Sequence, residues 1–179
     1  MDQSCDLSNQ ISLEEVVEAY YTCRKNKRNT ASAIRFEMNL AANLTELWQD
    51  INRGTYQPGR SIAFVVTSPV CREVFAAQFR DRIVHHLIIN KLEEQMESYF
   101  IDDSYSCRPG KGTFYGQKRV QEMIRECSNN YTCDCWVMKI DIQSFFMSIN
   151  KQLLFECLER FVKSHYHGKD IQMLLRLIR

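Results

Sequence analysis

The sequence predicts an α+β fold that is mostly helical and contains one short antiparallel β-hairpin. Only three prolines and six glycines occur in 179 residues, which favours long helices over a fold with many tight turns. Apolar residues recur at helical spacing through most of the chain, and two β-rich runs follow Arg60. With 45% hydrophobic and 25% charged residues, the composition is typical of a globular protein with a substantial core.

Two helices are predicted in the N-terminal helical segment, residues 1–54. Ser12 and Glu15 form a capping box in front of an apolar stripe, which predicts the start of the first helix. Thr30 is predicted to cap the second helix, and Gly54 is predicted to end it. Apolar residues in that second helix repeat at helical spacing: Ile34, Met38, Ala41, Leu44, Trp48 and Ile51.

The β-hairpin and two more helices are predicted in residues 55–130. The runs "SIAFVVT" and "CREVFAA" flank "SPV" and predict an antiparallel pair. A third helix is predicted from about Arg80 to Tyr99, with Asp81 and Arg82 as an ion pair at its start. The stretch "IDDSYSCRPGKGT" is predicted to be a loop, after which Gly112 or Thr113 opens a helix towards Cys127.

The last part of the chain, residues 131–179, is predicted to hold a strand and two helices. The apolar run from Trp136 to Ile142 indicates the strand, and helices are predicted from about Lys151 and about Lys169. The final stretch "DIQMLLRLIR" is an amphipathic helix without a stop signal, so we expect the chain to be cut from a longer protein.

The eight cysteines do not predict a disulfide framework or a zinc site. Cys133 and Cys135 are one residue apart, and no second pair stands at zinc-finger spacing. No run of eighteen apolar residues and no signal-peptide pattern occurs, so no membrane partner is predicted. We therefore expect reduced thiols in a cytoplasmic protein.

Asp141 is the residue whose position in the sequence most needs an explanation. It stands in "WVMKIDIQSFFMSIN", at the end of an apolar run where a buried strand should carry no charge. An aspartate there is either a helix N-cap or a metal ligand. Asn150 is better placed than Asp141 to cap the helix near Lys151. A rigidly held carboxylate suits Mg²⁺ in nucleotidyl transfer, and the residues alone leave both alternatives open.

Three motifs, in the same order, resemble those of bacterial reverse transcriptases. The stretch "KIDIQSFFMSI" resembles the first catalytic motif of these enzymes, a strand that delivers an aspartate with an aromatic residue five positions later. The stretch "SPVCREVFAAQFRDRIVHHLI" resembles the finger segment of group II intron and diversity-generating retroelement enzymes, and "FIDDSYSCRPGKGT" resembles their next block. The motifs span roughly Gly54 to Leu154, more than half of the chain.

The resemblance implies the fingers, residues 55–130, and the first part of the palm, residues 131–179, of a right-hand polymerase. It implies an RNA-directed DNA polymerase that adds dNTPs to a DNA or RNA primer on an RNA template. Asp141 and the carbonyl of Ile142 would hold Mg²⁺, and Asp141 would be catalytic. Phe146, beside Phe145 in the dNTP site, would exclude a ribose 2′-hydroxyl. Arg72 would lie against the incoming triphosphate.

The nucleic-acid-binding residues implied by the resemblance are Arg60, Arg108, Gly110 and Lys111. Gly110 would allow a positive φ or close backbone approach, and the two cations beside it would touch template phosphates. Arg108 has an equally good structural alternative, which is to brace its loop. Val70 departs from the family pattern, because relatives place a lysine there, and Arg60 would be its substitute.

The family's Tyr-x-Asp-Asp motif does not occur in these residues. With one carboxylate, two-metal catalysis cannot be assembled, so we expect the chain to be inactive by itself. The alternative is a catalytically inactive nucleic-acid-binding module with the same fold. A diversity-generating retroelement, an intron-encoded maturase and a phage-defence enzyme all remain open as the source, and the first of these implies an accessory protein as a partner.

Overall fold

A computed structural model describes residues 10–25, 30–68 and 71–179, and its helices and single hairpin confirm the α+β prediction. Two compact units are present. The first unit is Met1–Glu93 with Phe155–Arg179, and the second unit is Glu94–Leu154. The three-part division at residues 54 and 130 stays a prediction. The elements are α1 Leu13–Arg24, α2 Ala31–Glu37, α3 Leu40–Arg53, β1 Ile62–Val66, β2 Arg72–Ala76, α4 Phe79–Tyr99, α5 Thr113–Cys127, α6 Phe145–Ser148, α7 Lys151–His165 and α8 Ile171–Ile178.

The helix caps of the first unit are those that the sequence predicts. The backbone amide of Glu15 donates to Ser12 Oγ at 3.2 Å, and Ser12 N donates to Glu15 Oε2 at 2.8 Å, so the capping box is complete. Thr30 Oγ1 accepts from Ala33 N at 3.4 Å at the start of α2. Gly54 ends α3 with φ +69°, a left-handed conformation that favours glycine.

The single long helix predicted after Thr30 is wrong, because the chain forms two helices there. Asn39 has φ −128°, so the helical path is broken between α2 and α3. The side-chain amide of Asn43 donates to the carbonyl of Phe36 at 2.7 Å and replaces the bond that a continuous helix would have made. The apolar repeat continues across this break, which is why periodicity alone did not reveal it.

The core of the first unit lies where α1, α2, α3 and α4 meet. Tyr20, Phe36 and Phe79 form an aromatic group, in which the Phe36 and Phe79 ring centroids are 5.5 Å apart. Trp48 Nε1 donates to the carbonyl of Ile11 at 2.8 Å and joins α3 to the residue before α1. Most of the side chains that lose almost all solvent contact are apolar, and they include Val16, Leu47, Ile51, Phe79, Ile83 and Leu87.

Lys91 joins three helices of the first unit through its ammonium group. Lys91 Nζ lies 2.8 Å from Asp170 Oδ2 and also contacts Glu15 Oε1 in the capping box of α1. Tyr166 donates its hydroxyl to Asp170 Oδ1 at 2.8 Å. The Lys91 and Asp170 side chains are each 11% exposed, so this ion pair is largely shielded from water. The contacts attach the residues before α8 to α4 and α1.

The antiparallel hairpin is confirmed, and its register follows from the short connection. β1 pairs with β2 so that Ile62 lies opposite Ala76, Phe64 opposite Val74 and Val66 opposite Arg72. Most of its side chains are exposed, including Phe64 at 47% and Phe75 at 54%. The hairpin is therefore held mainly by its own backbone hydrogen bonds and cross-strand contacts.

The strand predicted from Trp136 to Ile142 is wrong. This segment has no strand partner in the part of the chain that the structure describes, where β1 and β2 form the one sheet. Its apolar side chains are consequently exposed, with Trp136 at 93% and Ile140 at 74%. A strand requires a neighbour to accept and donate its backbone hydrogen bonds, and an apolar run in the sequence does not supply one.

Within the described ranges, no helix has both the length and the apolar character needed to cross a bilayer. None of the seven cysteines that the structure describes forms a disulfide bond.

Candidate nucleotide and nucleic-acid site

Asp141 is exposed in the second unit and does not cap a helix. Its Oδ1 accepts only a local hydrogen bond, from the backbone amide of Ile142 at 3.0 Å. The residue that caps α7 is Asn150, whose Oδ1 accepts from Leu153 N at 3.1 Å, as expected from the sequence. The helix-cap alternative for Asp141 is therefore wrong, and its carboxylate is open to a ligand from solvent.

The donor atoms at Asp141 and Ile142 fit part of a magnesium site. A carboxylate and a neighbouring backbone carbonyl are the hard oxygen ligands that Mg²⁺ prefers. Over residues 10–25, 30–68 and 71–179, no three His, Cys, Asp or Glu side chains come together in a way that could hold a metal ion. Asp141 thus fits as one protein ligand of Mg²⁺, and the described residues do not complete the site.

Phe145 and Phe146 open α6 directly after Asp141. Ser144 precedes them with φ +52°, which turns the chain sharply before the short helix. The two rings have centroids 5.3 Å apart in an edge-on arrangement, and Phe146 is 86% exposed. Among the described residues, Phe146 is therefore not part of a core. Its ring is available to contact a ligand, whereas Phe145 is half covered at 47% exposure.

Arg60 and Arg72 lie in the first unit, on either side of β1. Arg72 opens β2 with its side chain exposed, and no ion pair involving it occurs among the described residues. Arg60 is also exposed, and its carbonyl accepts from Gln78 Nε2 at 3.3 Å. Val70 lies outside the described residues, so the substitution of Arg60 for the missing lysine stays a prediction.

Asp81 holds the loop that leads into the hairpin, which the sequence did not predict. Its carboxylate accepts from the Tyr56 hydroxyl at 2.8 Å and from Gly59 N at 3.0 Å. Burial and the bond to Asp81 raise the pKa of Tyr56 well above its usual value. Arg82 Nε instead donates to the carbonyl of Ala77 at 2.9 Å. The predicted Asp81–Arg82 ion pair is wrong, because the buried carboxylate faces the loop.

Arg108 braces the loop between α4 and α5. Its guanidinium contacts both carboxylate oxygens of Glu97, with Nη2 to Oε2 at 2.9 Å. It also donates to the carbonyls of Ile101 at 2.8 Å and Ser104 at 2.9 Å. Hydrogen bonding to Glu97 raises the pKa of Arg108, and its side chain is only 7% exposed. These contacts favour the bracing alternative over a template contact.

Gly110 and Lys111 occupy the same loop as Arg108. Gly110 has φ +69°, the left-handed backbone that the sequence led us to expect. Lys111 Nζ lies 2.6 Å from Asp102 Oδ1 and 5.6 Å from the centroid of the Tyr115 ring. Its charge is therefore partly neutralised by Asp102, whose own side chain is 80% exposed.

The sequence did not reveal the ion pair between Arg119 and Asp103, which joins α5 to the loop before it. Arg119 Nε lies 3.0 Å from Asp103 Oδ1, and the Tyr105 hydroxyl donates to the same oxygen at 2.6 Å. Hydrogen bonds from Arg119 and Tyr105 lower the pKa of Asp103. The adjacent acids in "IDDS" were a visible signal, because two neighbouring negative charges attract cationic side chains.

Comparison with known proteins finds distant and partial sequence similarity. No known protein-family profile matches the chain. It is 27% identical to Protein YkfC of Escherichia coli K12 over 126 residues, which are 69% of this chain and 32% of that protein. It is 28% identical to Nuclear intron maturase 1, mitochondrial, of Arabidopsis thaliana over 85 residues, 48% of this chain and 11% of that protein. The chain thus spans about a third or less of these relatives, and its similarity to the maturase is distant and partial.

Proposed function

We propose that this chain is the fingers and first part of the palm of an RNA-directed DNA polymerase. The observation that carries the proposal is the order of the three motifs, which ends on the exposed carboxylate of Asp141 and the exposed ring of Phe146. The distant similarity to an intron maturase supports the same class of protein. The proposed partners are an RNA template, a DNA or RNA primer and dNTPs, with a retroelement accessory protein as a further one.

In the proposed reaction, each site residue has a separate task. Asp141 and the Ile142 carbonyl would hold Mg²⁺, which when bound lowers the pKa of the primer 3′-hydroxyl and neutralises charge on pyrophosphate. Phe146 would lie against the sugar and leave no room for a 2′-hydroxyl, with Phe145 as its neighbour. Arg72 would bind the triphosphate, since its guanidinium has several donors in one plane and is free of acidic partners within the described residues.

Catalysis needs more carboxylates than the described residues bring to Asp141. Two-metal nucleotidyl transfer uses several acids around the ions, and no Tyr-x-Asp-Asp occurs here. We propose that the missing carboxylates are supplied by chain outside these residues, so that the 179-residue chain alone does not extend a primer.

The second candidate is a nucleic-acid-binding module without catalysis. It is favoured by one observation, which is that the described residues bring no three potential metal ligands together. The exposed Asp141 and Phe146 count against it, because a binding module needs neither a metal ligand nor a ring that selects the sugar.

Primer extension tests the proposal in the natural protein that contains these residues. An RNA template, a labelled primer and Mg²⁺ would be supplied with dNTPs or rNTPs separately. We expect extension with dNTPs, and we expect Phe146→Ala to raise the use of rNTPs relative to dNTPs. Met147→Ala, at a neighbouring position that is 72% exposed, is the matched control and should leave that ratio unchanged. RNA binding without any extension would support the second candidate.

A further inference from the structure

The polar face of α5 carries an exposed aromatic side chain, Phe114. α5 is amphipathic, and its apolar residues Val120, Met123 and Ile124 lie on one side. Phe114 points away from that side and is 81% exposed. A single exposed phenylalanine is unremarkable by itself, so its neighbours on the helix surface decide whether it has a function.

Three polar side chains continue from Phe114 along the same face of α5. Lys118, Gln121 and Arg125 follow it at positions i+4, i+7 and i+11, which places all four on one line. The four residues, named the α5 stripe, are all exposed and extend over about 16 Å at the rise of an α-helix.

The two cations of the α5 stripe differ from the neighbouring Arg119 in their ion pairing. Among the described residues, neither Lys118 nor Arg125 has an ion pair, whereas Arg119 beside them pairs with Asp103 at 3.0 Å and Glu122 at 3.2 Å. The face therefore presents two uncompensated positive charges, an amide and an aromatic ring in a row. An acidic peptide would pair with the two cations but leave the Phe114 ring exposed to water. An apolar partner would cover the ring but leave the two cations without a partner.

We propose that the α5 stripe binds single-stranded RNA. Phe114 stacks on a base, Lys118 and Arg125 contact phosphates, and Gln121 hydrogen-bonds to a base or sugar. Single-stranded nucleic acid offers both a ring face and regularly spaced negative charges, and proteins commonly bind it with aromatic side chains that lie beside cations. The choice of RNA rests on the proposed function, but binding by the stripe is measurable without nucleotides or extension.

Fluorescence anisotropy with a labelled 12-nucleotide oligouridylate tests the stripe in the 179-residue chain. Phe114→Ala should weaken binding roughly 5- to 150-fold, the range for loss of one stacked base. Tyr21→Ala, which removes another exposed ring at 61% exposure, is the matched control. Lys118→Gln with Arg125→Gln should reduce the slope of log K against log salt by about 1.4, the value for two phosphate contacts on a single strand.

Two further variants make the outcome decisive. The double variant Arg35→Gln, Lys169→Gln removes the same amount of charge from exposed positions in the first unit. It should keep the wild-type slope of log K against log salt, whereas the stripe variant should lower it. Phe114→Leu keeps apolar volume without the ring, so stacking predicts a loss close to that of Phe114→Ala. RNA binding by Phe114→Leu that is as tight as that of the wild type would show that Phe114 does not stack on a base, and would overturn the inference.

RNA binding by the α5 stripe and primer extension by the natural protein are tested by different measurements. If the chain does not bind oligouridylate, or if the stripe variants bind it as tightly as the wild type, the inference fails whatever the natural protein does to a primer. If the stripe variants lose RNA binding and the natural protein still extends no primer, the inference stands and the polymerase proposal fails. Circular dichroism of each variant checks that α5 remains folded.

Discussion

Replacing Lys91 by methionine tests whether one ammonium holds the residues before α8 against the rest of the first unit. Lys91 Nζ lies 2.8 Å from Asp170 Oδ2, and both side chains are 11% exposed. Removing one partner of a fully buried pair costs about 3–5 kcal/mol, whereas an exposed pair contributes about 0–1 kcal/mol. The Glu15 side chain is 39% exposed, so its contact with Lys91 contributes only as much free energy as an exposed pair does. Because Lys91→Met keeps the apolar stem, we expect a loss of about 3 kcal/mol in the free energy of unfolding, between these limits.

Urea unfolding followed by far-UV circular dichroism measures this loss. For a chain of this length, about 3 kcal/mol corresponds to a fall of roughly 6–12 °C in the midpoint of thermal unfolding. Lys163→Met is the matched control, since Lys163 pairs with Glu159 at 2.9 Å but is 57% exposed, and its loss should stay under about 0.5 kcal/mol. Equal, small losses in both variants would refute the reasoning that burial gives the Lys91 pair its strength.

Further expectations concern pH, the loop before the hairpin and the loop after α4. Burial acts to raise the pKa of Asp170, but the hydrogen bonds from Lys91 and Tyr166 outweigh it and lower that pKa. The pair therefore stabilises the fold above the unfolded pKa of about 4 and loses this contribution as pH falls through the lowered value. Unfolding in acid should then be less steep in Lys91→Met, and an unchanged pH profile would contradict this. Asp81→Ala leaves the Tyr56 hydroxyl without its acceptor, so it should lower the free energy of unfolding by roughly 1–3 kcal/mol, measured with urea. An unchanged free energy of unfolding would show that the loop does not need the carboxylate. Arg108→Ala removes the bonds to Glu97 and to two backbone carbonyls. Limited proteolysis should therefore cleave residues 100–112 faster in this variant than in the control Lys118→Ala. Equal cleavage of the two variants would exclude the bracing role.

Helices were predictable here because their signals are local. Ser12, Thr30, Asn150 and Gly54 each mark a helix end through a bond or a backbone conformation that involves neighbouring residues only. The hairpin was predictable for the same reason, since its two runs are close in sequence. The break at Asn39 escaped detection because the apolar repeat passes through it without interruption.

The features that depend on distant residues were not predictable. The strand at 136–142 needs a neighbouring strand that the described chain does not provide. Asp81 finds its partners Tyr56 and Gly59 more than twenty residues away, so its adjacency to Arg82 was misleading. Arg108 was predicted to lie in a loop, but its pairing with Glu97 could not be predicted because it depends on the path that the loop takes.

The candidate site shows the same division between local and distant information. The motifs led to Asp141 and Phe146, which both lie at exposed positions, and their roles stay predictions. The described residues bring no three potential metal ligands together. The motif residues therefore indicate the chemistry without completing the site.

The central claim, that Asp141 is the metal-binding carboxylate of an RNA-directed DNA polymerase, is tested most directly by Asp141→Asn in the natural protein. Primer extension with dNTPs on an RNA template and RNA binding would be measured side by side, with Asp134→Asn as an exposed control in the same segment. We predict that Asp141→Asn abolishes extension, that it leaves RNA binding intact, and that the control extends normally. Extension that survives Asp141→Asn would contradict the claim.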